Sequence, residues 1–120
     1  MILIFDNSEQ ITERLIELIR EEKKDSRLDN ATTYQQAVKI LQLSDPRVIL
    51  LDIKFYGNKT IELLKKIKLS NKKTAVIILF NHADEQSMKQ CKDHGADFFI
   101  DKYYDFNKIP GIINSIEANV

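Results

Sequence analysis

A three-layer, doubly wound α/β domain with a parallel sheet is the fold class that this chain of 120 residues predicts. Three observations predict it: four brief, wholly apolar runs, stretches of helical period between them, and strict alternation of the two textures with no linker, repeat or low-complexity segment. Five strands alternating with five helices imply right-handed crossovers and one domain over residues 1–120.

Ile2 to Phe5, Val48 to Leu51, Val76 to Leu79 and Phe98 to Ile100 are short, apolar and rich in β-branched or aromatic side chains. Strands covered on both faces have this texture, and parallel sheets are covered on both faces. A weaker strand is expected over Arg27 to Ala31, nearer an edge. Behind an N-cap at Ser8, Ile11, Leu15, Leu18 and Ile19 share a helix face while Glu9, Glu13, Glu17 and Arg20 point outward. Tyr34, Val38 and Leu41 repeat the spacing after Thr33, and Asp45-Pro46 closes that helix. Ile61, Leu64 and Ile67 or Lys68 mark a third helix, whose Lys65, Lys66, Lys68, Lys72 and Lys73 crowd its C-terminal end, where the dipole favours cations. A solvated helix end is the expectation for that cluster. Ala83 to Asp93 is polar and weakly amphipathic, with Met88 and Cys91 on one side and Gly95 as its stop. Ile109, Ile112, Ile113 and Ile116 define the last helix, with Pro110 in its first turn, where a missing N–H matters little.

Composition excludes several function classes. A chain of this length buries roughly two thirds of the surface its unfolded form exposes, so it needs no staple. Eighteen basic and eighteen acidic side chains balance to zero, which argues against direct nucleic-acid or anionic-membrane binding by this segment. The apolar run Ala75 to Phe80 is far too short to span a bilayer. A single cysteine, Cys91, cannot form an internal disulfide, and no signal peptide precedes Ile2, so the expected compartment is a reducing cytoplasm.

Chemistry is expected at the strand ends. In an open doubly wound sheet the ligand crevice lies beyond the carboxyl ends of the strands. Asp6, Asp52, Phe80 and Lys102 occupy those ends, and no comparable charge cluster is expected at the opposite ends. An acid just past a strand is also a common helix N-cap, which serves as well for Asp6 alone. Asp52 is different, because Leu50-Leu51-Asp52-Ile53 puts a charge inside an apolar stretch, where it needs a partner. Lys102 supplies one. His82 and His94 stand singly, without the second ligand a metal role requires, and Cys91 reads as a small buried apolar group.

These blocks, in their order and spacing, resemble the receiver domain of two-component response regulators over the whole chain. ILIFDN is similar to the family's first strand and its acidic pair, with Asp6 matching the first acid and Asn7 replacing the second. VILLDI resembles the strand that presents the phosphoacceptor, matched by Asp52. The loop from Lys54 through Phe55, Tyr56, Gly57, Asn58, Lys59 and Thr60 keeps the family's length, its Gly57 and its Glu-Leu-Leu helix start. It departs at Tyr56, usually proline, and at Lys59-Thr60, usually Asp-Gly. VIILF resembles the fourth strand, with Phe80 where Thr or Ser is expected, and GADFFIDK the fifth, with Phe99 at the aromatic switch position and Lys102 at the lysine position.

The resemblance implies a flavodoxin-like (βα)5 fold with strand order 2-1-3-4-5. It also implies a signalling domain rather than an enzyme, with at most self-catalysed phosphotransfer and dephosphorylation. Asp52 would accept a phosphoryl group from a histidine kinase or phosphotransfer protein, and Lys102 would pair with its oxygens. Mg2+ would be held by Asp52, Asp6, Asn7 and the backbone carbonyl of Lys54. The fourth helix, fifth strand and fifth helix would form the partner or homodimer face, to which Tyr103 and Tyr104 contribute.

Two departures shape the expectation. Asn7 keeps an oxygen but removes a negative charge, which weakens Mg2+ binding by about one to two orders of magnitude. Phe80 cannot make the hydroxyl contact that contributes roughly 1.5–3 kcal/mol to a charged partner, enough to remove most of a conformational shift. Asn81 or Ser8 is the candidate replacement donor. The alternative function is a pseudo-receiver, the same fold serving as an interaction module that phosphorylation does not switch. A flavin or nucleotide binder ranks behind both, because Asp6 to Gln10 carries no glycine and presents an anion.

Overall fold

The computed structural model describes residues 1–57, 59–70, 73–82 and 85–118. Its elements follow in the order β1 (Ile2–Phe5), α1 (Glu9–Glu22), β2 (Leu28–Ala31), α2 (Tyr34–Leu43), β3 (Val48–Asp52), α3 (Lys59–Ser70), β4 (Ala75–Phe80), α4 (Glu85–Asp93), β5 (Phe98–Asp101), a 3-10 turn (Phe106–Lys108) and α5 (Ile109–Ala118). The strands form one sheet in the order β2-β1-β3-β4-β5. Every neighbouring pair is parallel, as expected, and the weak strand lies at an edge.

Period-two alternation sorts the strand residues between the sheet's faces. Leu3, Phe5, Ile49, Leu51, Val76 and Ile78 pack with Ala37, Leu63, Leu64, Ile67 and Cys91, so α2, α3 and α4 cover one face. Ile2, Ile4, Val48, Leu50, Ile77, Leu79 and Ile100 pack with Leu15, Ile19, Phe106, Ile109 and Ile113, so α1 and α5 cover the other. Ser8 caps α1 by accepting the Ile11 N–H at 3.2 Å, and Thr33 caps α2 by accepting that of Gln36 at 3.2 Å. Gly95, at φ +100°, ends α4 in a conformation that a Cβ disfavours. Asn58 in the loop before α3, Lys72 of the lysine cluster and Ala83 at the expected start of the fourth helix lie outside the described residues. Among the described residues no helix is long and apolar enough to cross a membrane.

One expectation is overturned at the amino-terminal end of the sheet, which carries a charge pair of its own. Lys68 Nζ donates to Thr74 O at 2.7 Å and to Asp97 Oδ2 at 2.8 Å, and the Val76 N–H donates to the same carboxylate oxygen at 2.8 Å. Lys68 is therefore not one of the solvated cations of its helix end, whereas Lys65 and Lys66 are exposed. Its partner is 29 residues away, so strand flanks alone did not reveal the pair. The Lys68 stem passes close to Gly95, where an added Cβ would meet its Cγ at 3.1 Å.

Candidate functional site

β1 and β3 are neighbours in register, with Phe5 opposite Leu51, so Asp6 and Asp52 follow at the same level. Ile4 and Leu50 belong to the α1/α5 face, and Asp6 and Asp52 continue their alternation. Lys102 continues that of Ile100 one strand beyond β4, its backbone N–H donating to Phe80 O at 2.8 Å. Its side chain spans β4 and places Nζ 2.6 Å from Asp6 Oδ2 and 3.1 Å from Asp52 Oδ1. The three groups that the sequence singled out do converge.

The cluster is buried and unequally charged. Asp6 is 1% exposed; its Oδ1 accepts the Ser8 N–H at 2.8 Å. Asp6 Oδ2 meets Lys102 without hydrogen-bond geometry, so charge alone holds it. Burial raises the Asp52 carboxyl above the ordinary aspartate range; Lys102 opposes the shift, the Asp6 charge adds to it, and hydrogen bonds from Lys102 and the Lys54 backbone oppose it. Two carboxylates sharing one ammonium make a net anionic recess able to take up further positive charge.

Hard cations favour oxygen ligands. The buried Asp6 oxygen that lacks a hydrogen bond and the Asp52 carboxylate fit such an ion. Among the described residues no group of three or more His, Cys, Asp or Glu could hold a metal ion, so neutral oxygens or water would have to complete its shell. Lys54 O already accepts the Gly57 N–H at 3.1 Å. Asn7 Oδ1 accepts the Tyr56 N–H at 3.3 Å, and Asn7 Nδ2 donates to Thr32 O at 3.3 Å.

Sequence reading missed Thr60, whose hydroxyl accepts the Phe55 N–H at 2.9 Å and donates to Asp52 O at 2.8 Å. One partner lies in the preceding loop and the other at the end of β3, and a Thr in the first turn of a helix was its only signal. Missed as well was Phe106, buried under α5 with the Arg14 guanidinium 4.6 Å from its ring centroid.

Phe80 and Phe99 are both partly buried against the α2/α3/α4 cluster, the face opposite the one on which Asp6, Asp52 and Lys102 continue. Ser8 is occupied as an N-cap, and Asn81 is exposed. Tyr103 and Tyr104 are 78% and 81% exposed. They pack edge to face at 4.9 Å, and the Asp101 carboxylate accepts both their backbone N–H groups. Burial pushes the Cys91 thiol up to about 11, in keeping with an inert core group. His94 Nδ1 lies 2.9 Å from Gln90 O on its own helix. A cleft of about 650 Å3 between α1 and α2, lined by Glu13, Asn30, Thr32 and Lys39 among others, contains none of the three site residues.

Comparison with known proteins gives the same picture. A profile of the family described as response regulator receiver domain matches residues 2–114. Sporulation initiation phosphotransferase F of Bacillus subtilis (strain 168) is 31% identical over 74 residues, 62% of this chain and 60% of that protein. The match therefore spans less than two thirds of that relative. The signal receiver domain of the DNA-binding response regulator protein merR from Colwellia psychrerythraea 34H superposes with a TM-score of 0.89 at 18% identity, over 98% of this chain and 97% of that one. The receiver domain of NtrX from Brucella abortus reaches 0.86 at 19% identity over 100% of both. At such identities the structural likeness is one of fold.

Proposed function

The chain belongs to the response regulator receiver domain family, and from that premise we propose that Asp52 accepts a phosphoryl group from a histidine kinase or phosphotransfer protein. The observation that carries this reading is the Lys102 ammonium set between Asp52 and Asp6 at the carboxyl edge of the sheet. A carboxylate oxygen of Asp52 attacks phosphorus; the O–P bond forms as the P–N bond of the donor phosphohistidine breaks, and the freed imidazole keeps the electron pair and takes up a proton. Lys102 turns from the carboxylates to the phosphoryl oxygens, whose charge it partly neutralises. Mg2+, when bound, supplies the remaining neutralisation. Asp6 and Asp52 would hold it, with Asn7 Oδ1 and Lys54 O as neutral donors that each keep a lone pair. With one carboxylate fewer than an acidic pair would give, the affinity is low.

Output passes through the α4, β5 and α5 face, where Tyr103 and Tyr104 present an edge-to-face, exposed pair beside Lys102. The same face would serve a homodimer. A second reading concerns the output alone. Phe80 packs as a core aromatic and offers no hydroxyl to a phosphoryl group, which favours phosphorylation with little conformational change and, at the limit, an interaction module that phosphate does not switch.

The test is incubation with a small acyl phosphate and Mg2+, read by intact-protein mass. An acid-labile gain of one phosphoryl group is expected, absent in Asp52→Asn. No gain in the parent chain, or an equal gain in Asp52→Asn, overturns the proposal.

A further inference from the structure

Asn7 joins two loops. Its Nδ2 donates to Thr32 O between β2 and α2, and its Oδ1 accepts the Tyr56 N–H between β3 and α3. The partners settle the amide's orientation, since Thr32 offers only a carbonyl and Tyr56 only an N–H at these contacts. The carboxamide donates and accepts at once, which a carboxylate cannot do. A carboxylate has no hydrogen for Thr32 O and would repel it, and residue 56 must have an N–H to donate. Tyr56 is also in the left-handed region, at φ +50°, followed by Gly57 at φ +63°. A tyrosine there is uncommon and persists where its surroundings hold it. Thr60 holds the turn from within through Phe55 N and Asp52 O; Asn7 holds it from across the rim.

We propose that Asn7 is a positioning residue: its carboxamide straps the Asp52-flanking loop to the β2–α2 loop, so that the chain itself sets this rim and no bound cation is needed to order it. The strap rests on the same site as the phosphoacceptor reading but stands whether or not Asp52 is phosphorylated.

Amide hydrogen exchange on the 15N-labelled full chain, in Mg2+ and in chelator, tests it without reference to phosphorylation. In the parent chain the Tyr56 amide is expected to exchange at the same rate in both conditions, within about twofold, as a bond between two protein groups should. Asn7→Asp keeps an acceptor for the Tyr56 N–H but has no hydrogen for Thr32 O, so Tyr56 protection should stay within about twofold of the parent while the amide resonances of Thr32 and Thr33 shift as the strap lets go on that side. Asn7→Ala should lose protection in both conditions. Unchanged exchange of the buried β3 amides verifies that each variant is folded. A Tyr56 amide that Mg2+ protects in the parent chain or that Asn7→Ala leaves unaffected, or Thr32 and Thr33 resonances that Asn7→Asp leaves in place, overturns the strap.

Discussion

Lys68 and Lys102 stand at opposite ends of the same sheet, and each reaches an aspartate on another element. At the amino-terminal end one ammonium meets one carboxylate, and Asp97 Oδ2 also receives the Val76 N–H while Thr74 O shares Lys68. At the carboxyl end one ammonium serves two carboxylates, and the buried Asp6 Oδ2 has no hydrogen bond. The first cluster is balanced and partly solvated, with the Asp97 side chain 40% exposed. The second is more deeply buried, its side chains 2% to 15% exposed, and is one positive charge short. Residue type does not distinguish a structural latch from a reactive recess. The count of charges and the completeness of hydrogen bonding do.

The largest effect should come from Lys102→Met. Removing the ammonium they share leaves two carboxylates together, one fully buried, and breaking such a cluster costs about 3–5 kcal/mol. Urea unfolding measures it, and adding Asp6→Asn should recover much of the loss. Lys68→Met should be milder, about 1–2 kcal/mol, because Asp97 keeps the Val76 N–H and reaches water while only Thr74 O loses its partner. Equal losses in the two variants would break the comparison. The smallest effect concerns pH. Asp52 holds its proton more tightly folded than unfolded, so above the ordinary value of 3.8 the folded state carries more protons and its stability falls as pH rises, until the folded carboxyl has also ionised. Asp52→Asn removes that penalty, and its advantage in urea midpoint over the parent should therefore grow with pH across this window. A parent chain that gains on the variant as pH rises would contradict the raised carboxyl.

Much of this was legible in the sequence, for a definite reason. β1, β3, β4 and β5 are so apolar that a charge at their ends stands out, and period-two alternation carries Asp6, Asp52 and Lys102 onto the side of Ile4, Leu50 and Ile100. What escaped depends on where loops and helices bring groups together. Lys68 read as a solvated helix cation because its partner lies beyond another strand. Asn7 read as a weakened acid, since its second use requires the left-handed turn at Tyr56, which no propensity announces. Thr60 read as a departure from a glycine, although its hydroxyl ties the loop to β3.

The main-chain bond from Lys102 N to Phe80 O has a mechanical consequence. Asp52 and Phe80 belong to opposite faces of the sheet, so a signal that relied on side chains would have to pass through a tightly filled core. The peptide link runs outside that route: it ties the backbone of residue 102 to the tip of β4, and the tie is indifferent to which side chain residue 80 carries.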